Sequence, residues 1–182
     1  MNAQPPDRPP EIVAASERGI DLAGAPVSLS AVVPQQTESR LRDAVADTSE
    51  SQRIYVNVED ITAAGNPGVV YGVYLNRPPD ASSADHYHIG NIVLFGIEKM
   101  NDADTSHVGV SGFRHSFDIT DLVNDLRSQG QWDDQQVTLT FEPLVPLPPP
   151  GQEDSVADSV TEQRVRGEQE PVHIGRVSVF VT

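Results

Sequence analysis

RIYVNVEDITAAGNPGVVYGVYLN, residues Arg53 to Asn76, is the stretch that decides the fold. Its first half sets Ile54, Val56 and Val58 against Tyr55, Asn57 and Glu59, the period-two alternation of a strand with one buried face. Ala64-Gly65-Asn66-Pro67-Gly68 then turns the chain, with glycines where positive φ is needed. VVYGVYLN (Val69 to Asn76) carries apolar residues on both faces, as a central sandwich strand does.

The same reading extends outward. IGNIVLFGI (Ile89 to Ile97), Phe113 to Ile119, QVTLTFEP (Gln136 to Pro143) and VHIGRVSVFVT (Val172 to Thr182) predict further strands, the last with a bulge or bend at Gly175. Upstream, APVSLSAVV (Ala25 to Val33) alternates in the same way. One helix is expected in DITDLVNDLRSQG, where Ile119, Leu122, Val123 and Leu126 form a single apolar stripe. Asp118 stands at its N-cap, where a carboxylate accepts free backbone N–H groups, and Gly130 stops it. Short strands, regular turns and one short helix predict an all-β chain, an antiparallel β-sandwich of jelly-roll or Ig-like type.

The flanks differ in composition. Residues 1–24 read as a flexible Pro-rich leader, and 25–52 as one strand followed by a polar linker in which a short helix over Leu41 to Ala46 is the lesser reading. The sandwich proper spans 53–182, interrupted by a mobile Pro-rich and acidic insertion at 145–171. The chain holds 182 residues and 15 prolines, enough for one domain with appendages. Twelve basic residues against 27 acidic give a net charge of −15, which works against binding nucleic acid or an anionic membrane surface. No cysteine is present, so disulfides, thiolate metal sites and a Cys nucleophile are excluded. No signal peptide or membrane-spanning run is seen, which leaves the compartment unknown and the cytoplasm as the default.

Motifs for chemistry are sparse. No G-x-S-x-G, Walker loop or G-x-G-x-x-G occurs. His86 and His88 flank Tyr87 beside Asp85; imidazoles at i and i+2 of an extended segment can face the same way and suit copper or zinc. Two ligands do not make a site, and His107 or His115 would have to fold against this loop to complete one. A polar loop carrying two histidines is the simpler reading. Tyr55, Tyr71, Tyr74 and Trp132 read as core or sandwich-edge aromatics, with a sugar platform as the alternative.

Taken in order, the Arg53–Asn76 stretch, HIGNIVLFGIEK, FDITDLVNDL, QVTLTFEP and VHIGRVSVFV resemble the C-terminal β-sandwich domain of tyrosinases and polyphenol oxidases, the type-3 copper enzymes. The resemblance covers about residues 53–182 and, more loosely, AGAPVSLSAVV. The catalytic domain of that family is a helical bundle whose six histidines hold two coppers. This chain has five histidines, none in a helical H-x-x-x-H pair, so the resemblance is to the non-catalytic domain alone.

The resemblance implies a shielding module that covers or matures the dicopper site of a phenol-oxidising partner domain or subunit. It implies no cofactor in this chain, copper in the partner, and no enzymatic activity of the chain alone. In such enzymes a loop side chain fills the phenol funnel. The expected equivalent here is Arg77 to His88, with Tyr87 as the plug because it mimics a phenol; His86 and His88 are alternatives for handling copper. The opening Met favours a freestanding chain over the tail of a longer enzyme. The rival readings are a generic ligand-binding or structural β-sandwich and a small His-based copper protein.

Overall fold

The computed structural model describes residues 10–46, 52–63, 69–81, 84–94, 112–144 and 171–182. Among these described residues, nine strands form one antiparallel sheet: β1 Glu11–Ala15, β2 Ile20–Leu22, β3 Val27–Val32, β4 Ile54–Ala63, β5 Val70–Leu75, β6 His88–Val93, β7 Phe113–Asp118, β8 Gln136–Leu144 and β9 Val172–Val181. Their order is β6-β5-β8-β3-β1-β9-β4-β7, with β2 also on β9. Two helices accompany them, α1 over Gln35–Ala46 and α2 over Thr120–Ser128.

The fold is all-β and sandwich-like, and its two layers are halves of one continuous sheet. β6-β5-β8-β3 make one half and β1-β9-β4-β7 the other. They join through a single register pair, Ala15 with Val32, where the sheet bends from one layer into the next. The far edges also approach: a Cβ added to Gly90 of β6 would lie 2.7 Å from the Phe117 ring of β7. A sheet whose first and last strands meet this way is a nearly closed barrel, which leaves little edge for stray pairing.

Side-chain alternation fills the interior. Ile54, Val56 and Val58 of β4 and Val137, Leu139 and Phe141 of β8 are all fully buried, in phase with their sequence pattern. Halfway along β4 the phase changes, so that Ile61 and Ala63 become the inward residues. β9 changes with it, from Val181, Val179 and Val177 to Ile174 and Val172. The hinge of both changes is the pair Asp60 and Gly175. Asp60 takes φ 55, and a Cβ on Gly175 would meet that of Asp60 at 2.7 Å. The bend expected at Gly175 is thus a kink that the two strands share with their mutual register unbroken, while β4 shifts register against β7 between Val58 and Ile61. It keeps both strands apolar-side-in.

Two expectations are corrected. Residues 10–24 are no leader. β1 pairs with the C-terminal half of β9 (Glu11 with Val181, Ala15 with Ser178) and β2 with its N-terminal half (Ile20 with Ile174, Leu22 with Val172). Val13, Ala14 and Leu22 are about 1 % exposed. Nor is 35–46 a linker. α1 buries Leu41, Ala44 and Val45, which recur at i, i+3 and i+4, and Thr37 Oγ1 bonds Val13 O at 2.7 Å. The expected turn at 64–68, the insertion over 145–170 and His107 lie outside the described residues.

At the other helix, Ile119 occupies the cap position and Asp118 stands one residue before it. The Asp118 carboxylate still takes the Thr120 N–H at 3.0 Å and the Thr120 hydroxyl at 2.7 Å, and Arg53 at 3.2 Å. Thr120 Oγ1 in turn accepts the Ile54 N–H at 2.9 Å, so this chain of bonds fastens the helix start to the first residue of β4. Asp118→Ala is expected to lower stability by about 1 kcal/mol, the usual cost of losing such a cap. Urea denaturation of the two proteins measures it, and an unchanged midpoint refutes the role.

Candidate functional site

The residues singled out by sequence lie at one end of the barrel, where β5 ends, β6 begins and α2 runs into its following loop. A 3₁₀ turn, Asp85–Tyr87, leads directly into β6. This turn sends the three adjacent side chains in different directions. Tyr87 points inward: it is 7 % exposed, and its hydroxyl donates to Gln131 Oε1 at 3.3 Å. His86 stays at the surface, edge-on to the Tyr87 ring with centroids 5.1 Å apart, and meets the Gln129 amide at 3.3 Å. His88 lies on the outer face, where its Nε2 is 2.9 Å from Asn91 Oδ1.

Beside His88 lies a group that periodicity did not bring out. Tyr74 of β5 packs against the His88 ring at 5.3 Å, and the Arg77 guanidinium sits 5.1 Å above the Tyr74 ring. Arg77 is held there by an ion pair with Glu142 of β8. Burial pushes the Tyr74 hydroxyl above the ordinary tyrosine range; Glu142 and Asp85 add to the shift and Arg77 opposes it. Tyr74 is therefore a neutral hydrogen-bond donor at physiological pH. The signal for this cluster was the Y-x-N-R run at the end of a strand, but pairing with His88 and Glu142 depends on strand register.

Among the described residues, His86 and His88 gather no third ligand for copper. His86 and His88 bond different partners, Gln129 and Asn91. Among the described residues, no group of three or more His, Cys, Asp or Glu is arranged to hold a metal ion. His115 is remote in the chemical sense too, its ring packed between Phe113 and Phe117 of β7. His173 forms a 2.7 Å pair with Asp21 on the outer surface, and no hydroxyl among the described residues bonds its other nitrogen. A His–acid pair without a nucleophile has no acyl-transfer chemistry.

The aromatic residues divide likewise. Tyr71 is buried at 1 % exposure and belongs to the core. Tyr55 lies on the outward face of β4, in register with Phe180 of β9 and, beyond it, Ile12 of β1. Trp132 is half-buried, with its Nε1 donating to Asp134 at 3.0 Å.

A family model described as "Domain of unknown function (DUF7868)" matches residues 9–182. The chain belongs to this family. The match begins at residue 9, ahead of β1, so residues 9–24 of the expected leader and the whole of the expected linker fall inside the family's domain. The chain is also similar to "Tyrosinase HcTyr1" of Hahella sp. (strain CCB-MM4), 25 % identical over 119 residues. That alignment takes in 65 % of this chain and 25 % of the tyrosinase. Of solved structures, "Latent aurone synthase (polyphenol oxidase) from natural source" covers 88 % of this chain and 25 % of its own, with TM-score 0.49 and 12 % identity. The recombinantly expressed latent aurone synthase (polyphenol oxidase) covers 90 % and 25 %, with TM-score 0.45 and 11 % identity. The chain thus spans about a quarter of the length of the relatives it matches. Among the described residues, no helix is long and apolar enough to cross a membrane.

Proposed function

We propose that this chain is a non-catalytic accessory module that covers, or helps to mature, the dicopper site of a phenol-oxidising domain or subunit. The carrying observation is its similarity to a quarter of a tyrosinase, in a chain whose described residues assemble no metal site of their own. The physical case for covering is effective concentration. A module held beside a narrow apolar funnel excludes substrate even when its intrinsic affinity is weak.

The face that suits this contact is the outer one carrying Ile12, Phe180 and Tyr55 in one row across β1, β9 and β4. Ile12 is 45 % exposed there, and Val32, next to Ala15 on the bend, is 52 % exposed. Neither is a position where a lone domain gains from an apolar side chain. Tyr87 does not project in this conformation, because its ring is packed beneath Gln131. A plug role for Tyr87 requires the Arg77–His88 loop to open first, whereas His86 and His88 already reach the surface.

Titrating the purified chain into an active tyrosinase core encoded beside it tests the reading. The expected result is saturable loss of phenol oxidation, or copper loading of the core that depends on the chain. Activity and copper content that ignore the chain overturn it. The rival reading, a β-sandwich that binds glycans, loses Tyr71 from its platform by burial, while Tyr55 and Trp132 are partly exposed.

A further inference from the structure

We infer that the barrel has an acid-sensitive seam between β6 and β7, latched by the neutral form of His115. β6 and β7 are the two ends of the strand order, and among the described residues no ladder joins them. What holds them together is side-chain packing, with the Phe117 ring set against the backbone of Gly90. Phe113, His115 and Phe117 alternate along β7 on one face, so the imidazole lies between two rings. It stands edge-on to Phe113 at 4.7 Å and stacks on Phe117 at 5.9 Å. The same Phe117 therefore touches both the histidine and the opposite edge of the seam.

His115 Nε2 is shielded from solvent and has no hydrogen-bond partner among the described residues. A neutral imidazole tolerates this as an acceptor left idle. An imidazolium carries a donor there and a charge on a half-buried ring, and a partly desolvated, unpaired charge costs more than an unpaired neutral group. Among the described residues, no neighbouring charge relieves it. Glu59 of β4 is engaged on the outer face by Arg176 of β9, Arg114 of β7 and Ser178, and Asp118 by Arg53 and Thr120. His88 of β6 faces Asn91, and Asp60 sits at the kink opposite Gly175. Burial is accordingly the sole cause that holds the His115 pKa below its ordinary value of 6.5.

The sign follows from proton linkage. The open form binds a proton more readily than the closed one, so closure is fully favoured above about pH 6.5 and weakens as pH falls from there toward the depressed value. Because β7 has a ladder on its β4 side only, the seam is where that loss of packing is felt.

Amide hydrogen exchange of the full chain at pH 7.5 and pH 5.5, corrected for intrinsic rates, tests the inference. Exchange in β6 and β7 should rise measurably at the lower pH, up to the ceiling of about tenfold that one proton site of ordinary pKa 6.5 sets over this range, while that in β3, β8 and β9 changes little. His115→Phe keeps the stack of rings and removes the proton site, and should flatten the pH dependence while His86, His88 and His173 are left in place. An NMR titration of the His115 ring in the wild-type chain gives a second readout that needs no variant. A ring that titrates at 6.5, seam exchange that ignores pH, or a pH response that survives in His115→Phe each overturns it.

Discussion

A chain that starts at Ala25 loses cooperative folding. On composition alone residues 1–24 are dispensable, so this outcome separates the tertiary structure from the local reading. β1 lies between β3 and β9 in the sheet, and removing it cuts the one register pair that joins the two halves. It also strips the outer ladder from β9, along which β1 and β2 lie end to end. Exposing the sites of Val13 and Leu22 alone costs about 3–6 kcal/mol, at about 1.5–3 kcal/mol for each buried aliphatic side chain. Against a total stability of about 5–15 kcal/mol for a domain, with unpaired backbone groups added, little remains. Circular dichroism and amide NMR dispersion of the truncated chain check this. A sharp thermal transition at the full-length midpoint contradicts the placement of β1 and β2.

Phe141→Ala is the point substitution with the largest expected effect. Phe141 is fully buried in the middle of β8, in register with Val27 of β3 on one side and Val73 of β5 on the other. Its neighbours are held by ladders on both flanks and cannot collapse into the space. The cavity therefore stays open, and the expected loss is about 3–5 kcal/mol. Urea denaturation should show a much lower midpoint with an unchanged slope. A loss below about 1 kcal/mol indicates that the site repacks and that the two ladders are looser than their register implies.

Truncation and Phe141→Ala test the architecture, and Asp118→Ala tests one junction within it. The proposed covering role depends on a partner, whereas the His115 seam is a property of the chain by itself. A module that covers an active site and also has a pH-dependent edge could answer to acidity, but each claim stands or falls on its own measurement.

The legible parts of the fold were those whose signal is local. Ile54, Val56 and Val58 alternate because one face of β4 is buried along its whole first half. The α2 stripe of Ile119, Val123 and Leu126 was readable because each of these side chains points into the core. β1 was not readable. EIVAA is five residues long, preceded by Pro9 and Pro10, and its reason for being a strand lies in β9, at the opposite end of the chain. α1 carried a weak stripe of Leu41, Ala44 and Val45 in a polar stretch, and its stability comes from docking, as the bond from Thr37 to Val13 shows. The candidate site divides in the same way. His86, Tyr87 and His88 could be named from their spacing, but the directions of their rings could not, because a 3₁₀ turn breaks the extended geometry that the spacing assumes.

By itself, then, the sequence determined the class of the protein. Period-two patterning along six stretches demands antiparallel strands with one face inward, and five histidines without helical pairing leave no dicopper bundle. Tertiary structure decided which residues belong to the domain, and which of the site's side chains are available. Inside the domain, Val13 and Leu22 join a core whose other members lie far along the chain; at the site, Tyr87 is drawn inward while His86 and His88 stay out. Both outcomes have the same cause. Burial is a property of what lies on the other side of a residue, and in a barrel whose first strand pairs with its last, that neighbour is seldom near in sequence.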